Sequence, residues 1–300
     1  MSFLLKSPDS SQLTSAARLF SSSVVQELSR KGKSPLFARL ARESTLLEFL
    51  DPIEPVRNLF DVAFSFLKEK AYRHEYIYKA AITHKLLLGV HSLNTASMLT
   101  EFRVEKCKAD IAILNGTSTV YEIKSERDKL DRLENQIAAY QKVFAKVNVI
   151  TGENHLDNIL KNTPNNVGVL VLSGKFKIST IRDAQDGADR ISPEVVFDSI
   201  HKKEAIKILE LLNIPVPNVP NTKEHEVLRS LFQKISPITL HACMLRVLKE
   251  TRSMSPLSEL IDSLPTSFQT AALTTSLRRQ DHAKLISGIN TSITEALTWG

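Results

Sequence analysis

The sequence predicts an α/β fold, a mixed central sheet set between two helical regions, and three observations carry that prediction. The β-rich segments are confined to the middle of the chain: SMLTEFRVEK alternates apolar and polar residues, and KADIAIL and TVYEIK flank Asn115-Gly116. Further strands are expected at Val147–Gly152, at GVLVLSG (Gly168–Gly174) and at KFKISTIR. One amphipathic helix interrupts these strands, with Leu130, Leu133, Ile137, Tyr140 and Phe144 at helical spacing. Both ends of the chain, by contrast, show helical patterns. The expected regions are 1–70, 71–190 and 191–300.

At the start, two helices are expected: QLTSAARLFSSSVVQELSRKG closed by Gly32, then PLFARLARESTLLEFL opened by Pro35. Asp51-Pro52 and Glu54-Pro55 break the pattern, and further helices are expected from Val56 to about Lys70 and from about Tyr72 to Leu88. After Pro193, HKKEAIKILELL reads as a helix, IPVPNVPNT as a rigid turn, and helices follow near 223–234, 238–251, 257–264 and from Ser267.

Composition narrows the function. The 300 residues, 42% hydrophobic and 24% charged, suit an ordinary globular chain with a real core. No stretch approaches the roughly 20 apolar residues of a membrane span, and MSFLLK is too short an apolar run for a signal peptide. A cytoplasmic protein is expected. Cys107 and Cys243 fit no zinc or disulfide spacing. The net charge of +6 permits a polyanionic partner without proving one. No GxxxxGK[ST], GxSxG or HExxH occurs, so the chain shows no motor of its own and any unwinding needs a separate partner.

The chemistry concentrates in ADIAILNGTSTVYEIK. Period two places Glu122 and Lys124 on one face of their strand, and folding about Asn115-Gly116 brings Asp110 to within a residue or two of Glu122. Glu101, on the strand before, falls alongside. Three carboxylates repel one another unless a cation neutralises them, and an all-oxygen set suits Mg²⁺ or Mn²⁺. Lys124 beside them adds positive charge at a phosphoryl transition state. Lys129, Arg132 and Gln136 are expected as a polar stripe on the following helix, with Lys129 and Arg132 facing a phosphate backbone.

Glu101, Asp110 and Glu122-Ile-Lys124 on consecutive strands, followed by Gln136-Ile-Ala-Ala-Tyr140, resemble the PD-(D/E)XK nuclease superfamily and the QxxxY element of its RecB-like branch. The resemblance spans about residues 75–175 and is shared with a group of largely uncharacterised bacterial and phage proteins. It implies a restriction-endonuclease-like core, Asp110 and Glu122 as metal ligands, Lys124 as the catalytic lysine, and Gln136 and Tyr140 as accessory residues. Ala109 stands where many members carry proline. Glu101, Glu75 and His84 compete for the further ligand. The expected activity is Mg²⁺- or Mn²⁺-dependent hydrolysis of DNA, with RNA open as a substrate, in phage defence or DNA processing. The alternatives are a nucleic-acid-binding module without turnover, or a protein–protein adaptor built on the same fold. The helical flanks suit self-association, a separate partner or substrate recognition equally.

Overall fold

A computed structural model describes residues 9–300 of the chain, so the MSFLLK start lies outside the described residues. It divides into two compact units, one assembled from the chain up to Ala80 and from Pro256–Gly300, the other from Ala81–Ser255. The sequence-based regions break at 70 and 190. The contacts instead group residues 191–255 with the sheet and 256–300 with the N-terminal helices.

The second unit carries one six-stranded sheet, β1 (Ser97–Val104), β2 (Cys107–Leu114), β3 (Ser118–Lys124), β4 (Lys146–Thr151), β5 (Gly168–Leu172) and β6 (Ile178–Arg182), ordered as in the chain. Strands β1–β3 form an antiparallel meander, β3–β4–β5 are parallel, and β6 returns antiparallel. The mixed sheet flanked by helices is the fold class the sequence predicts. The β2–β3 turn is a three-residue loop rather than a two-residue hairpin: Asn115 N–H donates to the Thr117 carbonyl at 3.1 Å. Gly116 takes φ +91°, a backbone that glycine adopts without steric cost.

Each parallel step needs a crossover. The Leu133–Tyr140 helix supplies the first and the Leu156–Asn162 helix the second. That second helix was not expected, because its seven residues give too short an apolar pattern to stand out. Central strand residues Val120, Val147, Val149 and Val169 pack with Ile137, Tyr140 and Phe144 below them. From the later helices Phe232, Leu240, Met244 and Leu248 join the same core. Burying these side chains contributes about 1.5–3 kcal/mol each. The Pro193–Ser199 helix lies against β1, and Lys202–Leu211 pairs with Pro237–Thr251.

The first unit is helical and aromatic. The expected first helix is two, Ser10–Arg18 and Ser22–Lys31, because Asp9 caps one with a capping box while Ser21 begins the other. Gly32 closes the second in the left-handed region, as expected from sequence. Phe60 lies against Phe20, Phe37 and Phe268, and Phe20 stacks on Tyr76 at 4.2 Å. The helix expected from Tyr72 begins at Glu75, runs to Ile82 and passes into a π-helical turn, Thr83–Leu87. Among the described residues no helix is long and apolar enough to cross a membrane.

Candidate metal and phosphodiester site

Strands β2 and β3 stay paired from Leu114↔Ser118 to Ile111↔Tyr121 and then part. Beyond that point a side chain takes over the ladder: Asp110 Oδ2 accepts from Ile123 N–H at 2.7 Å. The carboxylate is thereby anchored beside Glu122, where the sequence placed it.

Glu122 and Lys124 emerge two residues apart on one face of β3, and both are buried, at 2% and 7% exposure. A buried charge of either sign is costly alone. Here Lys124 Nζ lies 2.7 Å from Glu122 Oε1 and donates to Gln136 Oε1 at 2.9 Å. Gln136 Nε2 donates to the same Glu122 oxygen at 2.5 Å. One helical turn on, Tyr140 Oη lies 2.9 Å from Glu122 Oε2 and 2.9 Å from the Lys108 carbonyl. Its one proton serves one acceptor at a time. Burial, reinforced by the Glu122 charge, holds the phenol far above the ordinary tyrosine range, so Tyr140 stays a proton donor. The i, i+4 spacing of Gln136 and Tyr140 brings both to Glu122 because residues four apart share a helix face.

Glu101 adds a second carboxylate beside Asp110. The β1–β2 register is unchanged from Thr100↔Ile111 to Phe102↔Ala109, which sets Glu101 across from Asp110. Carboxylate oxygens of the two lie within 4.8 Å of each other. Glu101 is also a non-glycine residue at φ +57° inside a strand, a conformation costing on the order of 1 kcal/mol and concentrated at functional sites. An ion pair joins it to Lys108 on β2. Lys108 was missed in the sequence, although period two puts it on the face of Asp110. The signal was available, but nothing in the sequence singled it out from the other exposed lysines.

Two other candidate ligands, Glu75 and His84, precede the sheet in the chain. Glu75 belongs to the other unit and pairs with Lys79 at 2.6 Å. His84 sits half-buried in the π-helical turn. The polar stripe expected from Lys129, Arg132 and Gln136 does not form as one helix face. The helix starts at Leu133, so Arg132 is its N-cap and Lys129 lies in the preceding loop. That loop is tied down instead by Asp128 Oδ2, which accepts from Ser125 N–H and Oγ–H at 2.8 and 2.6 Å. Lys129 and Arg132 are exposed, and only Gln136 turns inward.

Fold and site together define an α/β protein whose mixed sheet carries, where β2 and β3 cease to pair, the carboxylates of Glu101 and Asp110 and a buried Lys124–Glu122 contact. By sequence, the chain belongs to the bacteriophage P4 protein cII family, whose pattern matches residues 68–265. It is 28% identical over 142 residues to protein cII of Enterobacteria phage P4, an alignment covering 46% of this chain and 54% of that protein. The chain thus spans about half the length of the curated relative it matches. Among solved structures, a protein of unknown function from Silicibacter pomeroyi superposes with a TM-score of 0.28 at 15% identity, over 42% of this chain and 85% of that one. A likeness that weak defines neither fold nor function.

Proposed function

We propose that the chain is a Mg²⁺- or Mn²⁺-dependent nuclease that hydrolyses phosphodiester bonds of DNA, with a restriction-endonuclease-like core. The observation that carries this reading is the buried Lys124, held by Glu122 and Gln136 where β2 and β3 part beside Asp110. A lysine buried to fit one carboxylate and one amide, at an opening lined by two more carboxylates, is an expensive arrangement for structure alone.

The donor type suits a hard divalent cation: Glu101 and Asp110, whose oxygens lie within 4.8 Å of each other, offer oxygen and no sulfur or nitrogen, and Glu122 adjoins the Ile123 amide that Asp110 holds. The Lys108 ammonium beside Glu101 already puts a positive charge where such an ion would be attracted. When bound, the ion supplies Lewis acidity and a coordinated water of lowered pKa. Gln136 and Glu122 fix the Lys124 ammonium at the end of the β2–β3 pairing, where it would lower the energy of charge developing on a phosphoryl oxygen. Tyr140, kept protonated, holds the Glu122 carboxylate in one orientation. Exposed Lys129 and Arg132 meet the phosphate backbone and position the strand without reading its sequence. A phage relative suits a nuclease of phage DNA processing or defence, acting in the cytoplasm.

One observation favours a second reading, a nucleic-acid-binding module without turnover. Glu122 lies within hydrogen-bond reach of three donors of its own chain, Lys124, Gln136 and Tyr140, and the Lys124 ammonium balances its charge without any ion. Incubating circular and linear DNA with the full chain, with and without Mg²⁺ or Mn²⁺, separates the two. Metal-dependent cutting by the wild type, reduced by about 10²- to 10³-fold in Lys124→Met, is the expected result. Salt-sensitive binding with no cutting by either protein establishes the second reading.

A further inference from the structure

The Lys108–Glu101 ion pair sets an ammonium on the very carboxylate proposed as a metal donor. Lys108 and Asp110 share a face of β2, Glu101 stands across from Asp110, and the Lys108 ammonium sits on the Glu101 carboxylate. Both side chains of the pair are about half exposed, 54% and 45%, so the pair is weak and exchangeable. The backbone of Lys108 is not loose, since its carbonyl lies 2.9 Å from Tyr140 Oη, which also contacts Glu122. A fixed backbone with a mobile four-carbon stem lets the ammonium change partners without moving the strand.

We infer that Lys108 is a positioning residue that exchanges partners: it neutralises Glu101 while the site holds no divalent cation, and it meets a phosphate of the nucleic acid once the cation claims Glu101. The inference presupposes the proposed metal site. Two charges cannot both neutralise Glu101 at full strength, so a divalent ion arriving there releases the ammonium. The released charge stands at the rim of the opening, where a polyanion would lie. Cation and nucleic acid then bind cooperatively, each favouring the state the other needs.

Titrating Mn²⁺ into the full-length protein by calorimetry, without DNA, tests the first half. Lys108→Met removes the competitor and binds Mn²⁺ about two- to fivefold more tightly, the range of an exposed ion pair. Lys108→Glu moves affinity further in the same direction. For the second half, DNA affinity is measured against salt in a Lys124→Met background, so that substrate is not consumed. With Mn²⁺ present, adding Lys108→Met lowers the slope of log affinity against log salt by about 0.9, one lost phosphate contact. Without Mn²⁺ the slope stays the same, because Lys108 is then engaged by Glu101. Unchanged or weaker Mn²⁺ binding in Lys108→Met, or a slope that changes equally with and without Mn²⁺, overturns the exchange. Asp110→Asn in the same titration separates the two levels. If it leaves Mn²⁺ binding intact, the metal site itself is refuted. If it abolishes binding while Lys108→Met changes nothing, only the exchange is refuted.

Discussion

Two glutamates of the sheet-bearing unit are almost fully buried, Glu122 at 2% and Glu204 at 3% exposure, and they are held in opposite ways. Glu204, on the Lys202–Leu211 helix, is gripped by the Arg252 fork, with Nε and Nη2 each donating at 2.7 Å. Thr251 Oγ and His201 N–H fill the remaining positions at 3.0 and 2.8 Å. Each of its oxygens takes two donors. The planar guanidinium matches the carboxylate edge to edge, and its face also lies over the Phe102 ring at 5.3 Å. Glu122 takes two donors on one oxygen and one on the other, from a lysine point charge, an amide and a phenol. The first arrangement is saturated and joins helices. The second keeps an accepting position and groups its donors where β2 and β3 cease to pair. Burial alone therefore does not distinguish the two glutamates; the identity of the donors and what they leave unfilled does.

The largest expected effect separates the two glutamates by activity. Lys124→Met cuts DNA cleavage by about 10²- to 10³-fold, the loss typical of one electrostatic contact to a transition state, whereas Arg252→Met leaves cleavage per folded molecule within about twofold. Turnover under metal-replete conditions measures both. Equal losses in the two variants would erase the distinction drawn here.

Stability should show the reverse order. Arg252→Met strands Glu204 in the interior and costs about 3 kcal/mol in urea unfolding, at the low end for a broken buried pair because Arg252 is partly exposed. Burial pulls the Glu204 carboxyl up, but the Arg252 hydrogen bonds and charge, with the His201 N–H, outweigh it and hold it below the usual carboxylate value of 4.5. A depressed acid contributes stability above its unfolded value and loses it as pH falls through the folded one. Wild type therefore loses stability below about pH 4.5 in a step that Arg252→Met lacks. Replacing both partners by apolar residues, Glu204→Leu with Arg252→Met, recovers most of the loss.

A smaller effect tests the Glu122 side. Tyr140→Phe removes the one hydroxyl proton that Glu122 Oε2 and the Lys108 carbonyl share, costing about 1–2 kcal/mol. Because Glu122 loses its orientation, cleavage falls as well, by about tenfold. A stability loss with no change in turnover would make Tyr140 a packing residue only.

The smallest effect lies away from both. His241 is buried, its Nε2 lies 2.9 Å from Ser118 Oγ, and burial holds its pKa below 6.5 against an opposing pull from Asp186. The unfolded chain takes up this proton first, so stability declines as pH drops below about 6.5, by at most about 1.4 kcal/mol per pH unit. His241→Gln flattens that segment of the stability–pH curve.

That Gln136 and Tyr140 reach Glu122 is a contact between helix and strand, which the family resemblance alone implied. The sequence by itself determined the mixed sheet, the grouping of Asp110, Glu122 and Lys124, and the shared helix face of Gln136 and Tyr140. Each of those relations is local: period two along a strand, a turn between neighbours, four residues along a helix. No local period assigns residues 191–255 to the sheet and 256–300 to the N-terminal helices, because that division is made by contacts between segments far apart in the chain. The same holds for the left-handed Glu101 and its pair with Lys108. The strand order already sets Glu101 alongside Asp110; what an alternating pattern does not predict is a left-handed backbone at 101 or a partner for its carboxylate.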